Sequence, residues 1–133
     1  MQTDAIETAL ALTAAHAQVA GDLEVQGLSW MELRLLLVLR GATGRRPTEL
    51  ARDLHLTPSG ITRALLPLEK RGIVKRDKDP DDARASQTSL TEAGRSLIDE
   101  AVAIAGQRAA KLLRRLSVGQ TKQLQRLLEE IGR

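Results

Sequence analysis

The sequence predicts a mainly α-helical fold with one small β-hairpin, in the order α-α-α-α-β-β-α-α, within a single domain of residues 1–133. Apolar residues recur at helical spacing through most of the chain. Two short helical segments each carry proline in their first turn and are separated by a brief turn. After them, two short strand-like runs flank a polar loop, which is the pattern of a hairpin.

The composition narrows the class of protein. Hydrophobic residues make up 42% of the chain and charged residues 28%, as in a soluble globular protein. The absence of cysteine excludes disulfides, thiolate nucleophiles and cysteine zinc sites. No apolar run approaches the roughly 18 residues that span a bilayer. Since the N-terminus also lacks the basic start of a secretory signal, we expect a cytoplasmic protein.

The charge changes sign along the chain. Residues 1–44 hold two basic and five acidic residues, so their net charge is −3. Residues 45–84 hold ten and seven, and residues 85–133 hold eight and five, so each segment carries +3. A basic bias of this size suggests an anionic partner. Ordinary solvated surface charge explains it equally well.

The first two helices are predicted from composition and capping. Residues 5–23 are rich in alanine, with apolar residues at helical spacing. Ser29 and Glu32 match a capping box, which marks the start of the second helix. That helix is apolar nearly all round and should therefore be central and buried. The run from Gly41 to Gly44, which includes Thr43, should end it.

The next two helices form a helix-turn-helix candidate. Pro47 fits the first position of one helix. In the next helix, Thr57 fits the N-cap and Pro58 the first position. The second helix, residues 57–71, should end at Gly72 in a left-handed conformation. Pro67 lies inside this helix, where it removes a backbone donor. We interpret it as a tolerated kink on the surface rather than a device that re-aims the helix.

This second short helix has two distinct faces. Ile61, Leu65 and Leu68 form an apolar stripe for the core. The small or polar residues Ser59, Gly60, Thr62 and Arg63 lie off the stripe in the first two turns. In a helix-turn-helix, the N-terminal part of the second helix contacts base edges in the major groove. A merely solvated helix surface is the alternative interpretation.

The hairpin is predicted from residues 73–76 and residues 86–90, with a loop at residues 77–85. A hairpin after a helix-turn-helix makes a winged helix, whose tip can enter the minor groove. Arg84 is the candidate for insertion, although it could also pair with Asp82, and both roles can hold together. Candidates for phosphate contact are Lys75, Arg76 and Lys78.

Two helices complete the chain. A long helix should begin at Thr91 and Glu92 and continue to about Leu116. Its predicted apolar face consists of Leu97, Ala101, Ile104, Ala105, Leu112 and Leu116. A second capping box, from Ser117 to Gln120, should start the last helix.

These segments resemble the multiple-antibiotic-resistance regulator (MarR) family along nearly the whole chain. The wing segment DARASQTSLTEAG carries the family's landmarks Asp82, Arg84, Leu90, Thr91 and Gly94. Upstream, PTELARDLHLTPSGITRALLPLEKRGIVKR is similar to the family's helix-turn-helix. The family consists of winged-helix transcription factors of bacteria and archaea. They are homodimers that bind palindromic operators, usually as repressors.

The resemblance implies a role for each part of the chain. Residues 28–90 would form the DNA-binding part, and residues 1–26 and 91–133 the dimerisation helices. Arg84 would reach the minor groove, with Asp82 orienting it, while Ser59, Thr62 and Arg63 would face the major groove. The candidate DNA-binding residues are therefore Thr57, Ser59, Gly60, Thr62, Arg63, Lys75, Arg76, Lys78, Asp82 and Arg84. A small-molecule effector of unknown identity is a further expected partner.

The chain also departs from its relatives. His55 stands at the turn between the two short helices, where glycine or asparagine is common in the family. Without cysteine, oxidant sensing by a thiol is excluded, and a single tryptophan argues against an aromatic-lined ligand pocket. The four aspartates at 77, 79, 81 and 82 lack the spacing of a calcium loop and are interpreted as turn formers.

Alternatives remain open at this point. A winged-helix module that binds protein, or antagonises a relative without touching DNA, fits the acidic wing. We predict no enzyme activity, metal or cofactor, because no nucleophile–base pair, phosphate-binding loop or metal-ligand set is recognised. The basic residues Lys111, Arg114 and Arg115 are interpreted as a solvated face, or as flanking a dimer seam, rather than as a DNA surface.

Overall fold

The predicted order of elements is confirmed by a computed structural model that describes residues 2–42 and 44–133. The helices and strands are α1 (Gln2–Asp22), α2 (Trp30–Gly41), α3 (Pro47–Leu54), α4 (Pro58–Lys70), β1 (Val74–Lys78), β2 (Ser86–Leu90), α5 (Glu92–Leu112) and α6 (Val118–Ile131). The strands form a two-stranded antiparallel sheet. The predicted end of α2 is confirmed at Gly41, while Thr43 lies outside the described residues.

The helix starts follow their predicted caps. The Ser29 hydroxyl accepts from the Glu32 N–H at 3.1 Å, and the Glu32 carboxylate accepts from the Ser29 N–H at 3.0 Å. Ser117 and Gln120 repeat this reciprocal pair at the start of α6. At the start of α4, the Thr57 hydroxyl accepts from the Gly60 N–H at 3.1 Å. Each cap satisfies donors that have no partner inside the helix.

The core is built around α2. Its inner faces bury four leucines, which are Leu33, Leu35, Leu36 and Leu39. The apolar faces of α3, α4 and α5 pack against them through Leu50, Leu54, Ile61, Leu65, Leu68, Ile98 and Ala101. Trp30 is half-buried against the same cluster. Burying one such leucine stabilises the fold by roughly 1.5–3 kcal/mol, so aliphatic packing stabilises this domain almost without aromatic residues.

The burial of α2 differs from the prediction at one position. Leu37 remains 37% exposed, although the helix is apolar nearly all round. The described part of the chain packs against α2 from several sides without covering this one. The predicted stripe of α4 is confirmed, since Ile61, Leu65 and Leu68 are all buried. Pro67 is exposed within the same helix, and α4 is continuous through it.

The hairpin is longer than predicted at its first strand. β1 begins at Val74 rather than Ile73, because the Ile73 N–H donates to the Leu68 carbonyl at the end of α4. It extends to Lys78, because Asp77 and Lys78 pair in register with Gln87 and Ser86. The loop is correspondingly shorter than the nine residues predicted. The predicted bounds of β2 are confirmed.

The long helix is shorter than predicted, and its predicted apolar face is confirmed at Ala101 and Ala105, which are buried, but not at every position. α5 ends at Leu112, and the Leu116 N–H donates to the Leu113 carbonyl at 2.9 Å in a turn. This turn brings the chain to Ser117, whose extended backbone caps α6 and cannot continue a helix. Ile98, which the predicted face omitted, is fully buried, whereas Leu116 is exposed. Among the helices of the described residues, none is both long and apolar enough to cross a membrane.

The start of α5 lies against the segment that leaves α4. The Ile73 carbonyl accepts from the Thr91 N–H at 3.0 Å and from the Thr91 hydroxyl at 3.1 Å. A Cβ atom at Gly94 would lie only 2.0 Å from the same carbonyl oxygen. Glycine therefore allows this helix to approach a backbone that any side chain would displace.

We expect Gly94→Ala to lower the free energy of unfolding by about 1–3 kcal/mol, because the methyl group must push two backbone segments apart. Gly41→Ala is the matched control, since a Cβ atom there would meet nothing within 4 Å. Urea unfolding followed by circular dichroism measures both variants. Equal stability of the Gly94→Ala variant and the wild type would show that the close approach is not a constraint.

Candidate nucleic-acid interface

The first two turns of α4 present a polar surface. Ser59, Thr62 and Arg63 are exposed and Gly60 is half-buried, while Ile61 is fully buried on the opposite side. This division arises because the apolar stripe fixes which face of α4 contacts the core. The positive end of the helix dipole at this N-terminus also favours anions.

The polar groups of this surface differ in what they can still bind. The Thr62 hydroxyl donates to the Pro58 carbonyl at 3.0 Å, so its remaining capacity is as an acceptor. The Ser59 hydroxyl lies 3.3 Å from that of Thr57. Within residues 2–42 and 44–133, the Arg63 guanidinium has no hydrogen-bond or ion-pair partner. It is therefore available to an external acceptor.

The turn before α4 depends on a left-handed residue. His55 has φ 54° and ψ 45°, as its position predicted, and ends α3. The following N–H, of Leu56, donates to the Ala51 carbonyl at 2.8 Å. This turn sets the angle at which α4 leaves α3. Histidine occupies this conformation less easily than glycine.

The three phosphate candidates do not share a face. Successive side chains of a strand alternate, so Arg76 and Lys78 lie on one face of β1 and Lys75 on the other. Arg76 is bonded to Glu69 of α4, at 3.1 Å from Nε and 3.0 Å from a terminal nitrogen. Lys75 lies 3.9 Å from Asp77. Among the described residues, Lys78 alone of these three has no side-chain partner.

Arg84 lies in a turn at the tip of the wing. The Ala85 N–H donates to the Asp82 carbonyl at 3.0 Å and closes this turn. The Asp82 carboxylate accepts from the backbone N–H of Arg84 at 3.0 Å. In the part of the chain described here, the Arg84 guanidinium itself has no partner. Asp82 thus holds the backbone of Arg84 and leaves its side chain free.

An ion pair between a buried carboxylate and a partly exposed arginine, at the base of the wing, was not predicted from the sequence. The Asp79 side chain is 0% exposed, and its Oδ2 accepts from Nε of Arg46, the residue before α3. Its Oδ1 accepts from the Asp81 N–H at 2.8 Å. These two hydrogen bonds, first that from Arg46, hold the pKa of Asp79 below its ordinary value despite burial. The same bond raises the pKa of Arg46.

One sequence signal could have revealed this pair. Arg46 occupies the N-cap position of α3, where Ser, Thr, Asp or Asn is preferred. An arginine there suggests that the side chain serves another purpose. The sequence interpretation of Asp79 as a turn former was incomplete, since its carboxylate is buried. No group of three or more metal-ligating side chains occurs among the described residues.

Arg45, next to Arg46, also connects the wing to α3. Its backbone pairs with Thr88 of β2 through two hydrogen bonds of 3.0 and 2.7 Å. Its side chain lies 3.4 Å from Glu49 and is bonded to Asp53, both on α3. The hairpin is therefore fastened to the start of α3 by backbone as well as by side chains.

Comparisons with known proteins agree with this arrangement. The sequence profile of the MarR family matches residues 28–86. The HTH-type transcriptional repressor Rv2887 of Mycobacterium tuberculosis is 32% identical over 115 residues, which cover 86% of this chain and 83% of that protein.

Two solved structures have the same fold. A probable transcriptional regulator from Pseudomonas aeruginosa superposes with a TM-score of 0.88 at 26% identity, covering 92% of this chain and 95% of that one. The transcriptional repressor CouR, bound to a 23-mer DNA duplex, superposes with a TM-score of 0.85 at 29% identity. The match to CouR covers 92% of this chain and 90% of that one.

The lowered pKa of Asp79 has a consequence for acid stability. The Asp79 carboxylate stabilises the fold above its ordinary pKa of 3.8, and this contribution is lost as the pH falls through the lowered value of the folded state. We therefore expect Asp79→Asn to unfold at lower urea concentration than the wild type at pH 7. The difference should shrink as the pH is lowered below 3.8, because the carboxylate then becomes protonated.

Asp81→Asn is the matched control, because it removes the same charge from the same loop but from an exposed side chain. It should change the urea midpoint little at either pH. An equal loss for the two variants at pH 7 would contradict the role assigned to the buried carboxylate.

Proposed function

Because the chain belongs to the MarR family of DNA-binding transcriptional regulators, we propose that it is a repressor that binds a palindromic operator as a homodimer. The observation that carries this proposal is the Arg63 guanidinium, which has no partner among the described residues and lies on the same exposed surface of α4 as the hydroxyls of Ser59 and Thr62. Bases and phosphates supply the acceptors that the Arg63 guanidinium requires. The repressor name of the mycobacterial relative supports the direction of regulation.

The proposed major-groove element is α4, with Ser59, Thr62 and Arg63 toward base edges. Small residues in its first two turns allow close approach to the groove floor. Arginine forms two hydrogen bonds with O6 and N7 of guanine, which is the commonest base-specific contact. Thr57 and Gly60 lie at the helix N-terminus, where the positive end of the helix dipole suits a phosphate.

The proposed minor-groove element is the wing. Arg84 is exposed at its tip with a free guanidinium, and Asp82 fixes the turn that presents it. Narrow minor grooves attract arginine through their negative potential. Lys78 is the best placed of the phosphate candidates, because it has no competing partner within the described residues. Arg76 reaches phosphate only if it shares or leaves Glu69.

The proposed dimer is supported by unpacked apolar side chains on the terminal helices. α6 buries none of its residues within the described chain, and Val118 and Ile131 are 75% and 66% exposed. α1 likewise exposes Ile6 and Leu10. Such apolar surface is costly in water and indicates an interface. A second copy of the chain would bury this apolar surface. The dimer would then present two α4 helices, one for each half of a palindromic operator. We place this activity in the cytoplasm.

Measurements of DNA binding test the proposal. Selection from a random duplex pool should yield two half-sites about one helical turn apart, roughly 10 base pairs. Affinity for the selected duplex should fall steeply as salt rises. Arg63→Ala should weaken binding to that duplex by about 1–3 kcal/mol and reduce discrimination against other sequences.

Lys78→Ala is the companion variant. It should weaken binding to all sequences alike and reduce the salt slope by about 1 per subunit, because it removes one phosphate contact from each half of the dimer. Fluorescence anisotropy against selected and scrambled duplexes measures both effects. Salt-independent or absent binding would contradict DNA recognition and favour a protein-interaction module. Equal loss of discrimination from both variants would contradict the assignment of roles.

The dimer is tested by light scattering at micromolar concentration, where the mass should be twice that of one chain. Leu127→Glu places a charge on the apolar face of α6 and should shift the protein toward monomer. Arg126→Glu, on the polar face of the same helix, is the matched control and should remain dimeric. A wild-type monomer would contradict the proposed assembly.

A further inference from the structure

We propose that the ion pair between Arg46 and Asp79 is a positioning device that fixes the wing relative to α3 and α4 and thereby aims Arg84 at the DNA. The inference rests on the proposed function, since it assigns the pair a role in operator binding. Neither residue would touch the nucleic acid. Arg46 and Asp79 are positioning residues, and Arg84 is the residue that they position.

The first step concerns Asp79 itself. Its side chain is fully buried; Oδ2 accepts from Nε of Arg46, Oδ1 accepts from the Asp81 N–H, and the Gln87 side chain is a further hydrogen-bond partner of the carboxylate. A buried carboxylate without a cationic partner is strongly unfavourable. The carboxylate therefore holds its place in the fold only where Arg46 can reach it.

The second step connects Asp79 to Arg84 through the backbone. The Asp79 N–H donates to the Ala85 carbonyl at 3.1 Å, and the Asp79 carbonyl accepts from the Asp82 N–H at 3.3 Å. These bonds lie on both sides of the turn that carries Arg84. That turn is closed by Ala85 and Asp82, and the Asp82 carboxylate accepts from the Arg84 N–H. A shift of Asp79 therefore moves the whole turn.

The third step connects Arg46 to α4, the proposed major-groove helix. Arg46 stands immediately before α3, and its N–H donates to the Glu49 carboxylate at 3.1 Å. α3 and α4 share the buried residues Leu50, Leu54, Ile61 and Leu65. Arg46 stands at the N-cap of α3, where its side chain makes no capping hydrogen bond. The guanidinium is therefore available to Asp79, while α3 lacks the side-chain cap that serine or aspartate would give. The Arg46–Asp79 pair therefore connects the wing to α3, and through α3 to α4.

The other contact between wing and α4 cannot replace this one. Arg76 and Glu69 are 39% and 35% exposed, so water weakens their ion pair at both ends, whereas in the Arg46–Asp79 pair the arginine is 42% exposed but the carboxylate is fully buried. Arg76 lies in the middle of β1, so its contact with Glu69 holds the strand but does not hold the loop that follows it. Among the ion pairs of the described residues, the Arg46–Asp79 pair is the one that joins α3 to the loop from which Arg84 projects.

The test is a double-mutant cycle on the selected operator in the full-length dimer. Arg46→Ser removes the guanidinium and supplies an ordinary N-cap, so that α3 keeps a capped start. We expect Arg84→Ala and Arg46→Ser each to weaken binding, with Arg84→Ala losing about tenfold. In the Arg84→Ala background, Arg46→Ser should change affinity by less than about twofold, because there is no side chain left to aim.

Arg63→Ala provides the comparison background. There the effect of Arg46→Ser should remain at full size, since the major-groove contact is independent of the wing. Arg46→Ser should also reduce the preference for A·T over G·C pairs where the wing lies, as loss of a minor-groove arginine would. A defect in folding alone would weaken binding equally in every background and would leave this preference unchanged.

The outcomes are distinguishable. If the fold-losses in affinity of Arg46→Ser and Arg84→Ala multiply in the double variant, the two residues act independently. The positioning role is then wrong, while DNA binding stands. If Arg46→Ser leaves affinity unchanged, the positioning role is wrong as well. If the wild type shows no salt-dependent binding, the proposed function and this inference both fail. Asp79→Asn, which leaves Arg46 intact, should reproduce the non-additivity with Arg84→Ala.

Discussion

The contact on which the rest of the structure depends is the one between the Ile73 carbonyl and the first turn of α5. Ile73 follows directly on α4, and the residue whose N–H and hydroxyl it accepts, Thr91, caps α5. Gly94 makes the contact close enough to be inflexible. The end of α4 and the start of α5 therefore meet at one contact, which fixes the angle between the two helices.

The arginines of this chain fall into two groups that net charge does not distinguish. Arg45 and Arg46 are occupied by acidic partners and hold the wing to α3. Within the described residues, Arg63 and Arg84 have no such partners and project outward. A net charge of +3 can therefore support nucleic-acid binding, because many cations are paired with acidic residues of the protein, while those of α4 and of the wing tip remain exposed. Affinity then depends on placement more than on total charge.

Local signals predicted most of the fold, and contacts distant in sequence explain the rest. The caps at Ser29, Thr57 and Ser117 act within one helical turn, so sequence alone identified them. The end of α5 was misjudged because its apolar residues continue in pattern beyond the turn. The partnership of Arg46 and Asp79 was missed because 33 residues separate them. For the candidate site, sequence predicted which side chains are exposed but not which already have partners.

The aliphatic core leaves the molecule with a single aromatic side chain, Trp30, at the first residue of α2. Its emission spectrum accordingly has one source and one environment, half-buried where α2 begins. Fluorescence can therefore report on that corner of the fold without any engineered label. Bound DNA contributes little at the long wavelengths that excite tryptophan selectively, so the same signal can be followed in the free protein and in the complex.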